Sequence, residues 1–139
     1  MDPDRVKHLE FIQAVITRLA SNSFLIKGWA LTVAAALLAF TAKEANWGIS
    51  FIPLAPIALF WLLDGFFIRQ ERAFRSLYEE ARKGETSIEL FSMDASRFVD
   101  RESLTGVLVS SSLALFYGGL CVAQLIVAAV ILLSGRSGA

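Results

Sequence analysis

Residues that carry covalent or metal chemistry are scarce in this chain. It has one cysteine, Cys121, and one histidine, His8. A single cysteine excludes a disulfide framework and a thiolate zinc site, and one histidine leaves little for a metal cluster or a Ser-His-Asp triad. No nucleophile–base pair and no phosphate-binding glycine loop can be assembled. We therefore predict no catalytic residue, no metal and no cofactor, and an enzyme is the least expected class.

An excess charge of one sign is also lacking. Thirteen basic residues balance thirteen acidic ones, so the net charge gives no indication of nucleic-acid binding. Apolar residues are abundant instead: 55% of the chain is hydrophobic and the mean hydropathy is +0.58. A soluble domain contains roughly 45–50% apolar residues. Because the excess lies in long runs, the composition predicts a membrane protein.

Three runs are long enough to cross a bilayer, at residues 24–42, 49–68 and 111–133. A helix needs about 20 apolar residues to span about 30 Å of hydrocarbon. The third uncharged run begins earlier, but its first part, "SLTGVLVSSS", is semi-polar, so we place its membrane segment at 111–133. The sequence thus predicts an all-α membrane protein with three transmembrane helices, forming a single membrane domain over residues 1–139.

The basic residues indicate the orientation of these spans. Arg5, Lys7 and Arg18 precede the first span, and the link between the second and third spans is rich in arginine. The short link between the first two spans has only Lys43, and the tail has only Arg136. Since basic residues favour the cytoplasmic side, we predict that the N-terminus is inside the cell and the C-terminus outside.

Two segments are predicted to lie in the cytoplasm. In residues 1–22 apolar positions recur at 3-4-3 spacing from Leu9 to Leu19, which is typical of an amphipathic helix. This helix could lie on the inner leaflet, pack on a neighbouring helix or continue into the first span. The second span is predicted to continue unbroken into a long cytoplasmic extension, with residues 69–103 forming a helix and a loop.

Asp64 lies on the apolar side of that transition, inside the second span. A charged side chain at the bilayer centre costs at least about 2.5–3.5 kcal/mol, so such residues are usually paired or functional. Lys27 and Asp64 each lie about four residues, roughly 6 Å, inside the hydrocarbon. Because the short link makes the first two spans antiparallel neighbours, we predict a Lys27–Asp64 ion pair. A solvent-filled cavity, an ion path or simple snorkelling are the alternatives.

Three arginines follow the second span at three-residue spacing: Arg69, Arg72 and Arg75. One interpretation is anchoring at the inner leaflet with salt bridges along the helix. The other is a ligand site, in which each subunit of an oligomer contributes this stripe to a ring that binds a phosphate-rich molecule.

Small residues recur every four positions in the third uncharged run, and such a ladder allows close helix packing in a bilayer. We predict helix packing, in a homo-oligomer or against the first span, through Gly106, Ser110, Ala114 and Gly118. The other polar residues of this span are Ser111, Tyr117 and Gln124. They either form hydrogen bonds between helices or line a pore.

Two stretches, "HLEFIQAVITRLASNSFLIKGW" (residues 8–29) and "FWLLDGFFIRQERAFRSLYEEAR" (residues 60–82), resemble a group of small bacterial multi-pass proteins. Some members act as membrane effectors in anti-phage operons beside a nucleotidyltransferase, the Hailong-type membrane effector among them. The resemblance implies a homo-oligomeric pore in the inner membrane, controlled by a nucleotide or oligonucleotide, that depolarises the infected cell. It assigns no functional residue in this numbering.

Three functional classes therefore stay open. The first is a homo-oligomeric channel or pore-forming effector of the bacterial inner membrane, gated through its two cytoplasmic helices. The second is an accessory membrane subunit that anchors a cytoplasmic partner through residues 69–103. The third is a holin-like lysis protein, although three-span holins usually have the opposite orientation.

Overall fold

A computed structural model describes the backbone of residues 1–137 and the side chains of residues 1–135. This part of the chain is helical and contains no strand. Three of its helices are long and apolar enough to cross a membrane, so an all-α fold with three candidate transmembrane helices is confirmed. The side chain of Arg136, used above to infer orientation, lies outside the described residues. The elements are α1 (Pro3–Glu44), a 3₁₀ turn (Ile49–Phe51), α2 (Leu54–Ala81), α3 (Ser96–Val99), α4 (Leu104–Leu108) and α5 (Ser111–Ser137).

Helix α1 joins two segments that the sequence analysis separated, residues 1–22 and 24–42. Of the three possibilities left open for the N-terminal segment, the structure shows two together: continuation into the first span and packing against α2 through Ile12 and Ile16. Pro3 opens the helix, where its missing N–H costs no hydrogen bond. Directly after the helix ends, Ala45 has a φ of 51°, the left-handed conformation that commonly terminates helices.

The second candidate span begins with the 3₁₀ turn, and α2 then continues well beyond Ile68 to Ala81. The end of α2 is stabilised by a side chain from the start of α1. The Arg5 guanidinium donates to the carbonyl oxygens of Ala81 (3.3 Å), Lys83 (2.6 Å) and Gly84 (3.4 Å). These carbonyls have no partner inside the helix, and a cation suits the negative end of the helix dipole.

Contacts within the chain form two compact units, where the sequence predicted a single domain. The charged unit comprises Met1–Phe24 and Gly65–Val107, and the span unit comprises Leu25–Asp64 and Leu108–Ala139. Helices α1 and α2 each contribute to both units. The charged unit holds all basic residues except Lys27, Lys43 and Arg136, and all acidic residues except Glu44 and Asp64.

The charged unit has an apolar core and a charged surface. Ile12 and Ile16 of α1 pack with Leu77 of α2 and with Phe98 of α3. Most ion pairs on its surface follow helical spacing, as between Lys83 and Glu80 at 2.6 Å. The hydrogen bond from Lys83 holds the pKa of the Glu80 carboxyl below its ordinary value. This is the arrangement expected of a domain in water.

The span unit also buries apolar side chains, but it differs in its buried polar residues and in its surface. Its buried positions include the polar residues Asp64, Gln124, Thr41 and Ser50. Its exposed positions are mainly large and apolar, among them Leu31, Leu59, Leu62, Leu115, Val122, Ile126 and Val130. Such a surface suits hydrocarbon rather than water.

Candidate functional site in the span unit

A buried carboxylate joins all three candidate spans. Asp64 of α2 is 0% exposed, and its Oδ2 accepts a hydrogen bond from Lys27 Nζ of α1 at 2.6 Å. The same oxygen accepts a hydrogen bond from the Tyr117 hydroxyl of α5 at 2.9 Å. The structure therefore brings together the two residues of the predicted ion pair and adds a third that the prediction did not include.

Tyr117 is held on several sides. Its ring stacks on that of Trp61, with centroids 5.9 Å apart and planes 9° apart, and it meets Phe116 edge-on at 4.9 Å. The Trp61 indole N–H donates to the carbonyl oxygen of Leu108 at 3.0 Å. Leu108 ends α4, where carbonyls lack helical partners. The network around Asp64 thus extends through Tyr117 and Trp61 to the break between α4 and α5.

A second polar cluster lies around Gln124 of α5. Its Nε2 donates to the carbonyl oxygen of Ser50 at 2.7 Å and to Thr41 Oγ1 at 3.3 Å. Thr41 in turn donates to the carbonyl oxygen of Leu38 at 3.0 Å. Gln124 is 1% exposed, and this cluster connects α5 with the end of α1 and with the 3₁₀ turn. Sequence analysis anticipated hydrogen bonds between helices for Gln124 but did not identify Thr41 or Ser50.

These contacts argue against the predicted pore-lining role for two of its three residues. Tyr117 and Gln124 both point inside the chain, and their polar atoms are hydrogen-bonded there. Bonds inside the chain satisfy the polar groups that a water-filled pore would otherwise hydrate. Ser111, the third residue, is exposed at the start of α5.

The predicted ladder of small residues is not a single helical stripe. Gly106 belongs to α4, Ser110 lies between the helices, and only Ala114 and Gly118 lie on α5. Since the backbone bends between Leu108 and Ser111, the four-residue spacing does not place all four residues on one face. A Cβ added to Gly118 would meet no heavy atom within 4 Å among the described residues.

The three arginines of the predicted ligand site lie in the charged unit and form contacts within the chain. Arg69 Nε donates to the carbonyl oxygen of Glu102 at 2.8 Å, and Arg72 lies 3.7 Å from the carboxylate of the same residue. Arg75 pairs with Glu71 one turn away at 2.7 Å. An anionic ligand at this stripe would have to compete with Glu71 and Glu102.

The chemistry of the span unit is that of charge and hydrogen bonding. Among residues 1–135, no three His, Cys, Asp or Glu side chains converge as metal ligands. Each buried side-chain nitrogen or oxygen in the same range has a hydrogen-bond partner. A carboxylate buried in a membrane protein either stabilises the structure or belongs to an ion or proton path.

The chain matches no protein family, no curated protein and no solved structure.

Proposed function

We propose that the chain is a homo-oligomeric channel or pore-forming effector of the bacterial inner membrane that acts in anti-phage defence. The observation that carries this proposal is how little of the candidate spans is covered within one chain. In each span, only 17% to 22% of the most apolar 18-residue window is buried. The remaining surface is available to lipid and to further copies of the chain.

In this proposal the conducting path forms between copies, because the polar side chains inside one chain are already hydrogen-bonded. The exposed polar side chains of the spans are Thr32 on α1 and Ser111 and Ser112 on α5. Ala114 and Gly118 leave room on α5 for a second helix to approach closely. The predicted pore lining therefore shifts from Gln124 and Tyr117 to the exposed hydroxyl groups near the start of α5.

The proposal places the N-terminus and residues 69–103 in the cytoplasm and the C-terminus outside. Cysteine labelling of a Cys121→Ala protein in intact cells tests this orientation. A membrane-impermeant maleimide should label a cysteine at the exposed Lys43 position and spare one at the exposed Ser87 position. The reverse pattern would contradict the orientation.

A nucleotide or oligonucleotide, made by an associated nucleotidyltransferase, is the proposed signal at Arg69, Arg72 and Arg75. Helices α1 and α2 run without a break from the charged unit into the span unit, so a ligand on the charged unit has a continuous route to the spans. Because Glu102 faces Arg72, Glu102→Gln should tighten anion binding and Arg72→Gln should weaken it. Equal affinity in both variants would remove the ligand site from the proposal.

Native mass spectrometry of the detergent-solubilised protein is the first experiment. A closed homo-oligomer that retains a nucleotide or oligonucleotide, together with loss of membrane potential on expression, would support the channel and identify its ligand. A monomer that leaves the potential unchanged would contradict it.

An accessory membrane subunit is the second candidate, and one observation favours it. The charged unit has its own apolar core and presents the exposed rings of Phe11 and Phe91, 6.1 Å apart, at its surface. Such a surface suits a protein partner. Recovery of a soluble partner in fixed ratio, without self-association of the chain, would favour this function over the channel.

A further inference from the structure

Two grooves in the span unit meet at Trp47. The first, of about 510 Å³, lies between the segment Glu44–Trp47 and the end of α5 at Ile131 and Leu132. The second, of about 200 Å³, is lined by Phe51, Leu125 and Ala129 together with Trp47 and Leu132. Because Trp47 and Leu132 line both, the two grooves form one continuous surface feature at one end of the candidate spans.

The first groove is polar at its mouth. The Glu44 carboxylate and the Trp47 indole N–H have no hydrogen-bond or ion-pair partner among the side chains and backbone groups that the structure describes. Trp47 is 55% exposed and packs edge-on against Phe51 with centroids 6.2 Å apart. Tryptophan at the end of a span typically lies at headgroup level.

The second groove is apolar and runs along α5. It is lined by the small residues Ala128 and Ala129 and by the larger side chains of Phe51 and Leu125. From Leu125 to Leu132 the helix rises about 10 Å, the length of a substantial part of one acyl chain. Because alanine side chains are small, this part of the helix leaves room for a hydrocarbon chain.

The Glu44 carboxylate at the mouth of the first groove determines which headgroup is favoured there. The carboxylate of Glu44 attracts a cationic group and repels an anionic headgroup without an amine. Among the side chains of residues 1–135, Lys43 is the neighbouring cation, but it is adjacent to Glu44 on α1, and adjacent helical residues do not face each other. Lys43 is also absent from the groove lining. The two grooves therefore present a carboxylate, an indole N–H and an apolar surface. These groups complement the ammonium, the phosphate and the acyl chain of a zwitterionic lipid.

We propose that this paired groove binds one bilayer phospholipid with a primary-amine headgroup. The ammonium pairs with Glu44, the phosphate or ester oxygens accept the Trp47 N–H, and one acyl chain lies against Phe51, Leu125 and Ala129. The inference requires only that the chain resides in a bilayer, so it does not depend on channel activity.

The full chain, purified in detergent, is titrated with phosphatidylethanolamine or phosphatidylglycerol of identical acyl chains, and bound lipid is counted by native mass spectrometry. The wild type should retain one phosphatidylethanolamine per chain, at about five- to tenfold higher affinity than phosphatidylglycerol. Glu44→Gln should reduce that preference to less than about twofold. The matched control is Glu85→Gln, an exposed acid of the charged unit, which should keep the preference.

A second variant tests the apolar part of the site. Ala129→Phe fills the groove at an exposed position and should lower the affinity for both lipids about tenfold. Its control, Ala58→Phe, places the same ring on an exposed part of α2 and should leave binding unchanged. Equal binding of the two lipids by the wild type would overturn the proposal. So would an Ala129→Phe variant that changes the oligomeric state but not lipid binding, because the groove would then hold a second copy of the chain.

Discussion

The charged unit and the span unit both bury apolar side chains, but they differ in the polar groups that they bury and in the side chains that their surfaces expose. In the charged unit Ile12, Ile16 and Leu77 are buried and the ion pairs lie at the surface. In the span unit Asp64 and Gln124 are buried, and leucine, valine and phenylalanine face outward. Helices α1 and α2 contribute to both units, so the helical backbone alone does not account for the difference.

Water and hydrocarbon differ in how much each kind of contact contributes to the free energy of unfolding. In water, burial of apolar surface drives folding, at about 25 cal/mol per Å². In hydrocarbon that driving force is absent, and packing and polar contacts between helices hold the spans together. The charged unit should therefore depend on its apolar core, and the span unit on its buried polar network.

The largest expected effect comes from separating Lys27 from Asp64. Lys27→Ala should destabilise the protein by about 3–5 kcal/mol, because it leaves a buried carboxylate without its ammonium partner. Unfolding in mixed micelles with increasing denaturing detergent measures the change. Lys43→Ala, at an exposed position, is the control and should stay within about 0.5 kcal/mol.

The double variant sharpens this test. Lys27→Ala combined with Asp64→Ala removes both charges and should cost less than either single change, since no unpaired charge stays buried. Losses that simply add would show that the two residues act independently.

The next effect concerns the same substitution made in the two units. Leu77→Ala in the charged unit should cost about 2–5 kcal/mol, because the side chain is wholly buried and leaves a cavity. Leu62→Ala in the span unit, where the side chain is 51% exposed, should cost less than about 0.5 kcal/mol. The same unfolding assay measures both. Equal losses would mean that a protein partner, rather than lipid, covers the surface around Leu62.

A smaller loss is expected from the second polar cluster. Gln124→Leu keeps the approximate volume but removes the donor to Ser50 and Thr41, and should cost about 0.6–1.7 kcal/mol, the range for hydrogen bonds between membrane helices. Thr32→Val is the matched control, since the Thr32 hydroxyl bonds only to the Gly28 carbonyl of its own helix. If both substitutions gave the same change in midpoint, Gln124 would not connect the helices energetically.

Depth along the helices was the most useful information in the sequence. It predicts that Lys27 and Asp64 lie at the same level, where the structure shows them in contact. The same count would have found Tyr117, which lies six residues, roughly 9 Å, beyond the start of α5, against roughly 6 Å for Asp64. A tyrosine at that level is a suitable donor for a buried carboxylate, yet its polarity alone suggested a pore.

Spacing along the chain explains the partner of Arg75 but not the partners of Arg69, Arg72 and Gln124. Arg75 pairs with Glu71 at the i,i+4 distance that a helix dictates. Arg69 and Arg72 instead meet Glu102, which lies in the turn between α3 and α4. Similarly, Gln124 bonds to the backbone carbonyl of Ser50, which is available because Pro53, three residues later, has no N–H to donate to it. Tertiary folding of loops and turns decides these partners, and side-chain identity does not reveal it.

The smallest predicted effect tests how α1 ends within the span unit. Ala45 follows α1 with a φ of 51°, a conformation that glycine adopts without steric cost. Ala45→Gly should therefore stabilise the protein by up to about 1 kcal/mol. Ala42→Gly, three residues earlier and inside α1, should destabilise it by about 0.5–1 kcal/mol. Both positions are exposed, so the thermal midpoints of the two variants in detergent should move in opposite directions. If both fell, the left-handed residue would not terminate α1 in the folded protein, and the backbone of the span unit would differ from that described here.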